Sequence, residues 1–188
     1  MIAFIDMDGV LANFHDTAFR LHEIEYDMYP VQCGWDIVRA CNHLKPGCDM
    51  TASRFWHSFE DKSFWENLPK TRLCDRLIYE LKKLVGYKNM CLLSSFAMER
   101  CVDGKMAWIK KNLPVELHSN YLFGKAKSFC ARPDAILIDD YDVNVDEFRA
   151  AGGRAVLVPR PWNRDWMYRL TTEKTIERLH CEIASLAE

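Results

Sequence analysis

Asp6 and Asp8 stand two residues apart at the end of the apolar run Ile2-Ala3-Phe4-Ile5, and Gly9 follows at once. The run has no polar alternation, so it reads as a short strand buried on both faces. Residues two apart on a strand point the same way, and glycine lets the chain turn sharply just beyond them. Burying a carboxylate is costly unless a cation or hydrogen bonds compensate it. Two carboxylates at the mouth of a core strand therefore call for a bound cation. The plainer alternative is an Asx turn closing a strand, with Asp8-Gly9 as ordinary turn chemistry.

Two more apolar runs end in the same way. Residues 90–93 lead into Ser94-Ser95, and residues 135–138 lead into Asp139-Asp140. In an open parallel α/β sheet ligands bind at the carboxyl ends of the strands, so three polar strand ends would share one edge. Between the second and third lies Gly124-Lys125-Ala126-Lys127, which can bring an ammonium group to the same place. Carboxylates from two strands can hold Mg²⁺, which prefers oxygen ligands and keeps waters for a phosphate. A hydroxyl and a lysine can hold phosphate oxygens, and an aspartate can attack phosphorus.

The elements that must position these groups are legible around them. Residues 71–85 form an amphipathic helix, with Leu73, Leu77, Ile78, Leu81 and Leu84 on one stripe and Gly86 as its stop. Further helices are expected over 98–112, 144–151 and 172–187, and a fourth strand over 155–158. Strands alternating with helices predict an α/β fold, a three-layer Rossmann-like parallel sheet. Right-handed crossovers then set the carboxyl-end loops along one edge. The stretch before residue 71 is far longer than a crossover needs and reads as a small helical cap inserted after the first strand. Its expected helices cover 13–25, with Asn13 or Asp16 as cap, about 36–43, and 51–59, with Thr51 or Ser53 as cap. Residues 26–50 are otherwise loop-rich. The division is thus a core of residues 1–13 and 71–188 and a cap of residues 14–70.

The chain has 188 residues, 49% of them hydrophobic, enough for one substantial core. A net charge of −2 gives no electrostatic case for duplex nucleic acid or an anionic membrane. Neither a basic leader nor an apolar run near ~18 residues is visible, so a cytoplasmic protein is expected. The eight cysteines read as reduced thiols in a chain this size. Cys33, Cys41, His43 and Cys48 lack the short CxxC pair of a structural zinc site.

Taken together, Asp6-Met7-Asp8-Gly9-Val10, the strand ending in Ser94, a following lysine and Ile138-Asp139-Asp140 resemble the four motifs of the haloacid dehalogenase-like (HAD) phosphohydrolase superfamily. The resemblance runs from residue 1 to about 160. More narrowly, Asp6 to Phe14 and Phe64-Trp65-Glu66-Asn67-Leu68-Pro69 look like the 5′(3′)-deoxyribonucleotidase family and its phage and bacterial relatives. The resemblance implies a Mg²⁺-dependent 5′-nucleotidase. Asp6 would be the nucleophile. Asp8 would protonate the leaving alkoxide and then take a proton from water. Asp6, the main-chain carbonyl of Asp8 and Asp140 would bind Mg²⁺, with Asp139 orienting the site from beside it. Ser94 and Lys127 would grip phosphate oxygens, with Ser95 as a neighbour able to bond the substrate and main-chain N–H groups around Met7 to Gly9 adding to the grip. Lys125 is the alternative to Lys127. Lys105 reads as an exposed helix lysine that could also reach phosphate. Asp142, Asn144 and Asp146 read as loop and capping residues, with Asp142 or Asn144 able to shape the metal site.

Substrate choice should come from the cap. Phe14 lies just past the first motif, where the family uses a phenylalanine, and Phe55, Trp56, Phe64 and Trp65 add rings. Stacking on a base is worth ~1–3 kcal/mol, although rings at helical spacing are more often core. The expected partner is a small phosphomonoester, first a pyrimidine deoxyribonucleoside monophosphate; a homodimer is left open. Alternatives are a sugar phosphate, a polynucleotide 3′-phosphate, transfer to an acceptor other than water, or a non-catalytic phosphate-binding module.

Overall fold

β1 (Ile2–Ile5) is the middle strand of a five-stranded, all-parallel sheet with β2 (Met90–Ser94), β3 (Tyr121–Phe123), β4 (Ala135–Asp139) and β5 (Arg154–Leu157). The order is β3-β2-β1-β4-β5, with Phe4 opposite Cys91 on one side and Leu137 on the other. The computed structural model describes residues 1–25, 28–96, 98–166 and 171–185. Among these, no helix is long and apolar enough to cross a membrane.

Period-two alternation divides the core between the faces of the sheet. Ala3, Ile5, Leu92, Ile136 and Ile138 face a cluster that includes Leu77 and Leu81 of α5 (Cys74–Val85) and Ile176 and Leu179 of α8 (Thr171–Ala184). Phe4, Leu93, Leu137 and Leu157 face Val145 and Phe148 of α7 (Asp142–Ala150). The Phe4 and Phe148 rings meet edge-on at 6.2 Å. The remaining helices are α1 (Phe14–Leu21), α2 (Ile37–Leu44), α3 (Ala52–His57), α4 (Lys62–Glu66) and α6 (Glu99–Asn112).

The chain leaves the sheet edge and returns to it at one point. Asn13 N donates to Pro69 O and Thr71 N to Leu11 O, each at 2.8 Å, so helices α1 to α4 are tied off beside the end of β1. Thr51 caps α3, its hydroxyl accepting from Arg54 N at 3.2 Å, and Asp36 caps α2 through Arg39 N at 2.9 Å. Asn13 precedes α1 but makes no side-chain cap bond; its amide is taken up by the Asp16 carboxylate at 2.8 Å.

Two elements differ from the sequence reading. β3 adds a fifth strand at an edge, where Leu122 is exposed. α4 is a one-turn helix capped by Asp61 and packed on α6. Residues 186–187 of the expected last helix, and residues 26–27 of the expected loop, lie outside the described residues.

Candidate active site

Asp6 is held in the last rung of the sheet, its N–H donating to Ile138 O at 2.9 Å. Beyond it the chain coils tightly, and Met7 O collects the N–H groups of Leu11 and Ala12, each at 2.8 Å. Gly9 makes this possible twice over. Its φ of +82° belongs to the left-handed region, and a Cβ there would collide with Asp140 Oδ2. Arg160 Nε anchors the turn by donating to Gly9 O at 2.6 Å.

Lys127 stands at the centre. Its side chain is 2% exposed, and its Nζ donates to Asp6 Oδ1 at 2.6 Å and Asp139 Oδ2 at 2.7 Å. Asp139 also accepts from Tyr141 N at 2.9 Å and from Asn144 Nδ2 at 3.0 Å, so it is fixed on both oxygens. Lys125 is exposed. Asp142 and Asp146 pair with Arg164 at 3.4 and 2.6 Å.

The carboxylates form a tight buried group. Ligand atoms of Asp6, Asp139 and Asp140 lie within 4.8 Å of one another. Burial pushes Asp6 up to about 7, with Lys127 pulling it down and Asp139 and Asp8 pushing it further up. Asp140 is held well above the usual carboxylate range by burial and by Asp6 and Asp139, against Arg160 and the Trp162 hydrogen bond. Burial alone would lower Lys127, but Asp139 and Asp6 carry it above the ordinary lysine value, so it stays protonated. Negative charge thus exceeds what Lys127 can balance. Asp140 Oδ1 is moreover buried with no hydrogen-bond partner. Clustered oxygen donors, surplus charge and an unpartnered oxygen suit a hard divalent cation.

Lys105 corrects the sequence reading. Instead of an exposed helix lysine, it is 1% exposed, with Nζ donating to Asp8 Oδ2 at 2.5 Å, Ser94 Oγ at 3.0 Å and Ser95 O at 2.6 Å. It also lies 5.1 Å from the Trp65 ring centroid. Gly104 seats it: a Cβ there would stand 2.5 Å from Trp65 Cβ and 2.7 Å from Lys62 O, so only glycine lets α6 approach α4 this closely. A glycine inside a long helix was the available signal. The partner carboxylate is 97 residues away in sequence.

These groups open into a cavity of about 650 Å³ whose lining includes Asp6, Asp8, Ser95, Lys105, Lys125, Lys127 and Asp139. Ser94 and Asp140 are buried beside it and do not line it. The lining is also aromatic, from Phe14, Trp35, Trp56, Trp65 and Tyr141. Phe14 stacks on Trp65 at 5.3 Å and 5°, and on Trp56 at 6.0 Å and 10°. Phe55 is core, wholly buried, and neither it nor Phe64 lines the cavity. His15 stands outside the sequence reading. It lines the cavity, is 1% exposed, and neither ring nitrogen has a hydrogen-bond partner. Its ring lies against Trp162 at 3.6 Å and 11°. Burial first, then Arg160, lowers its pKa to about 3, so the imidazole is neutral.

The fold has solved counterparts. A HAD family hydrolase from Deinococcus radiodurans R1, solved with bound phosphate and sodium, is 15% identical and superposes with a TM-score of 0.60 over 97% of this chain and 96% of its own. A haloacid dehalogenase-like protein of unknown function from Agrobacterium tumefaciens is 16% identical, with a TM-score of 0.59 over 100% of this chain and 99% of its own. At these identities the likeness is one of fold. No curated protein matches the chain. Residues 1–180 match the family described as 5′ nucleotidase, deoxy (pyrimidine), cytosolic type C protein (NT5C), and the chain therefore belongs to that family of HAD-like phosphohydrolases.

Proposed function

We propose that this chain is a Mg²⁺-dependent phosphomonoesterase that hydrolyses nucleoside monophosphates, pyrimidine deoxyribonucleotides first, through an aspartyl-phosphate on Asp6. The observation that carries the reading is the convergence of Asp6, Lys127, Asp139 and Asp140 in one buried cluster. Beside it, Lys105 joins Asp8 to Ser94, and aromatic rings line the same cavity.

Each residue then has a role. An Asp6 carboxylate oxygen attacks phosphorus, and the ester bond to the leaving oxygen breaks. Asp8 donates its proton to that alkoxide; Asp8 Oδ1 is buried with no hydrogen-bond partner and is the oxygen placed to carry it. Water then attacks the acyl phosphate, returning a proton to Asp8 and releasing inorganic phosphate with Asp6 restored. Lys127 holds Asp6 in place and offsets charge on the phosphoryl oxygens, and Lys105 does so from the side of Asp8. Asp6, Asp140 and the Asp8 carbonyl would hold Mg²⁺, which supplies charge neutralisation at the phosphoryl group. Residues 14–70 act as the cap, and Phe14, Trp56 and Trp65 favour a flat base over a bare phosphomonoester.

A phosphate-release screen over nucleoside monophosphates and sugar phosphates, with Mg²⁺ and with EDTA, tests this. Highest kcat/KM on a pyrimidine deoxyribonucleotide and silence in EDTA are expected. Preference for a sugar phosphate would refute the substrate class, and undiminished rates in EDTA would refute the metal assignment.

A further inference from the structure

The two oxygens of Asp140 have different surroundings. Oδ2 accepts from Trp162 Nε1 at 2.8 Å, whereas Oδ1, equally buried, has no partner. An indole offers one donor and no acceptor, so this contact commits one oxygen and leaves the other. Trp162, 7% exposed, lies in the loop after β5. It is itself fixed on several sides. The neutral His15 ring lies flat on it, Tyr29 meets it edge-on at 5.6 Å, and neighbouring Asn163 donates to Asp140 O at 2.9 Å and Val158 O at 2.7 Å. The missing Cβ at Gly9 provides the room, since a methyl there would also press on Trp162 Cζ2 at 3.3 Å.

We propose that Trp162 is a positioning residue for the divalent-cation site: its indole N–H holds Asp140 Oδ2 so that Oδ1 is the atom presented to the cation. Without that donor the carboxylate can rotate about its last torsion and offer either oxygen or both. A ring that merely filled space would do none of this, so the ring and its N–H must be tested apart. The inference rests on the metal-dependent reading above.

Thermal unfolding of the wild type and Trp162→Phe across a Mg²⁺ titration, after dialysis from EDTA, makes that separation. Tm rises with an N-state ligand according to its concentration over Kd. Outer-shell partners of metal ligands typically contribute 10–100-fold in affinity, so the Trp162→Phe curve should move to Mg²⁺ concentrations higher by about that factor. A lower Tm that rises over the same Mg²⁺ concentrations as the wild type would make Trp162 structural and overturn the proposal. A wild type insensitive to Mg²⁺ would overturn the metal-dependent reading and this inference together. Should Trp162→Phe fail to fold, the wild-type indole N–H resonance, identified by its contacts to the His15 and Tyr29 rings, decides. Slow exchange in EDTA and a shift that saturates with Mg²⁺ support the proposal; rapid exchange, or indifference to Mg²⁺, overturns it.

Discussion

His15→Phe should change how stability depends on pH, by an amount the structure sets. The imidazole is 1% exposed, has no hydrogen-bond partner on either nitrogen, and lies against Trp162. Its native pKa is lowered to about 3 from an ordinary 6.5, burial being the larger cause and Arg160 the smaller. The unfolded chain accepts a proton on this ring that the native protein refuses. The resulting penalty is absent above pH 6.5, grows as pH falls, and levels off below about 3. One pH unit within that window is worth about 1.4 kcal/mol, so at pH 5.0 the wild type carries a penalty of about 2 kcal/mol. Phenylalanine keeps a flat ring over Trp162 and cannot take up the proton. Asp6, raised to about 7, titrates in the same range with the opposite sign, because its native state binds the proton more readily. That contribution is common to both proteins and cancels in their difference. Urea unfolding at pH 7.5, 6.0 and 5.0 is the assay. Whatever the offset at pH 7.5, the variant should gain about 2 kcal/mol relative to wild type by pH 5.0. Parallel curves would show that the imidazole is not buried neutral, and the packing described for it would be wrong.

Asp6→Asn should abolish phosphate release while circular dichroism stays native; retained turnover would exclude the covalent route. Lys105→Met removes the donor shared by Asp8 and Ser94, and should lower kcat/KM by about 10²-fold or more. Unchanged kcat/KM would return Lys105 to a structural role. Gly104→Ala drives a methyl into Trp65 Cβ and Lys62 O. It should cost about 2 kcal/mol, or roughly 4–8 °C in Tm, despite the better helix propensity of alanine. A Tm equal to wild type would mean that α4 and α6 are not in this close contact.

How much of this was readable follows from how local each signal is. An apolar run that stops on a carboxylate or hydroxyl is written in consecutive residues, so Asp6, Ser94, Asp139 and Asp140 could be placed at one sheet edge without coordinates. Lys125 and Lys127 sit two apart, and only the family resemblance of the run after Lys127 favours it over Lys125; the structure buries Lys127 between Asp6 and Asp139 and leaves Lys125 exposed. Lys105 looked solvated because helix surfaces carry lysines, and its burial depends on Asp8, far away in sequence. β3 escaped for a related reason: three residues at an edge, one of them exposed, carry no alternation to read. The stack of His15 on Trp162 joins residues 147 positions apart, counted from their numbers, and no period in the chain announces it.

The placement of the two lysines gives the site an economy of charge. Lys127 is shared by Asp6 and Asp139, and Lys105 by Asp8 and Ser94. Each proposed reactive carboxylate is therefore already held by a buried ammonium before a phosphate arrives. A phosphomonoester brings about two negative charges and a divalent cation brings two positive ones, so together they leave the net charge of the cavity as it was. Either alone does not. A dianion without the cation meets Asp6, Asp8, Asp139 and Asp140, whereas a divalent cation offsets the negative charge that Lys127 leaves unbalanced. On the proposed reading each ligand would therefore raise the affinity for the other by the same factor. Burial first, and the neighbouring carboxylates after it, raise the pKa values of Asp6 and Asp140, which lie where phosphate and cation would meet.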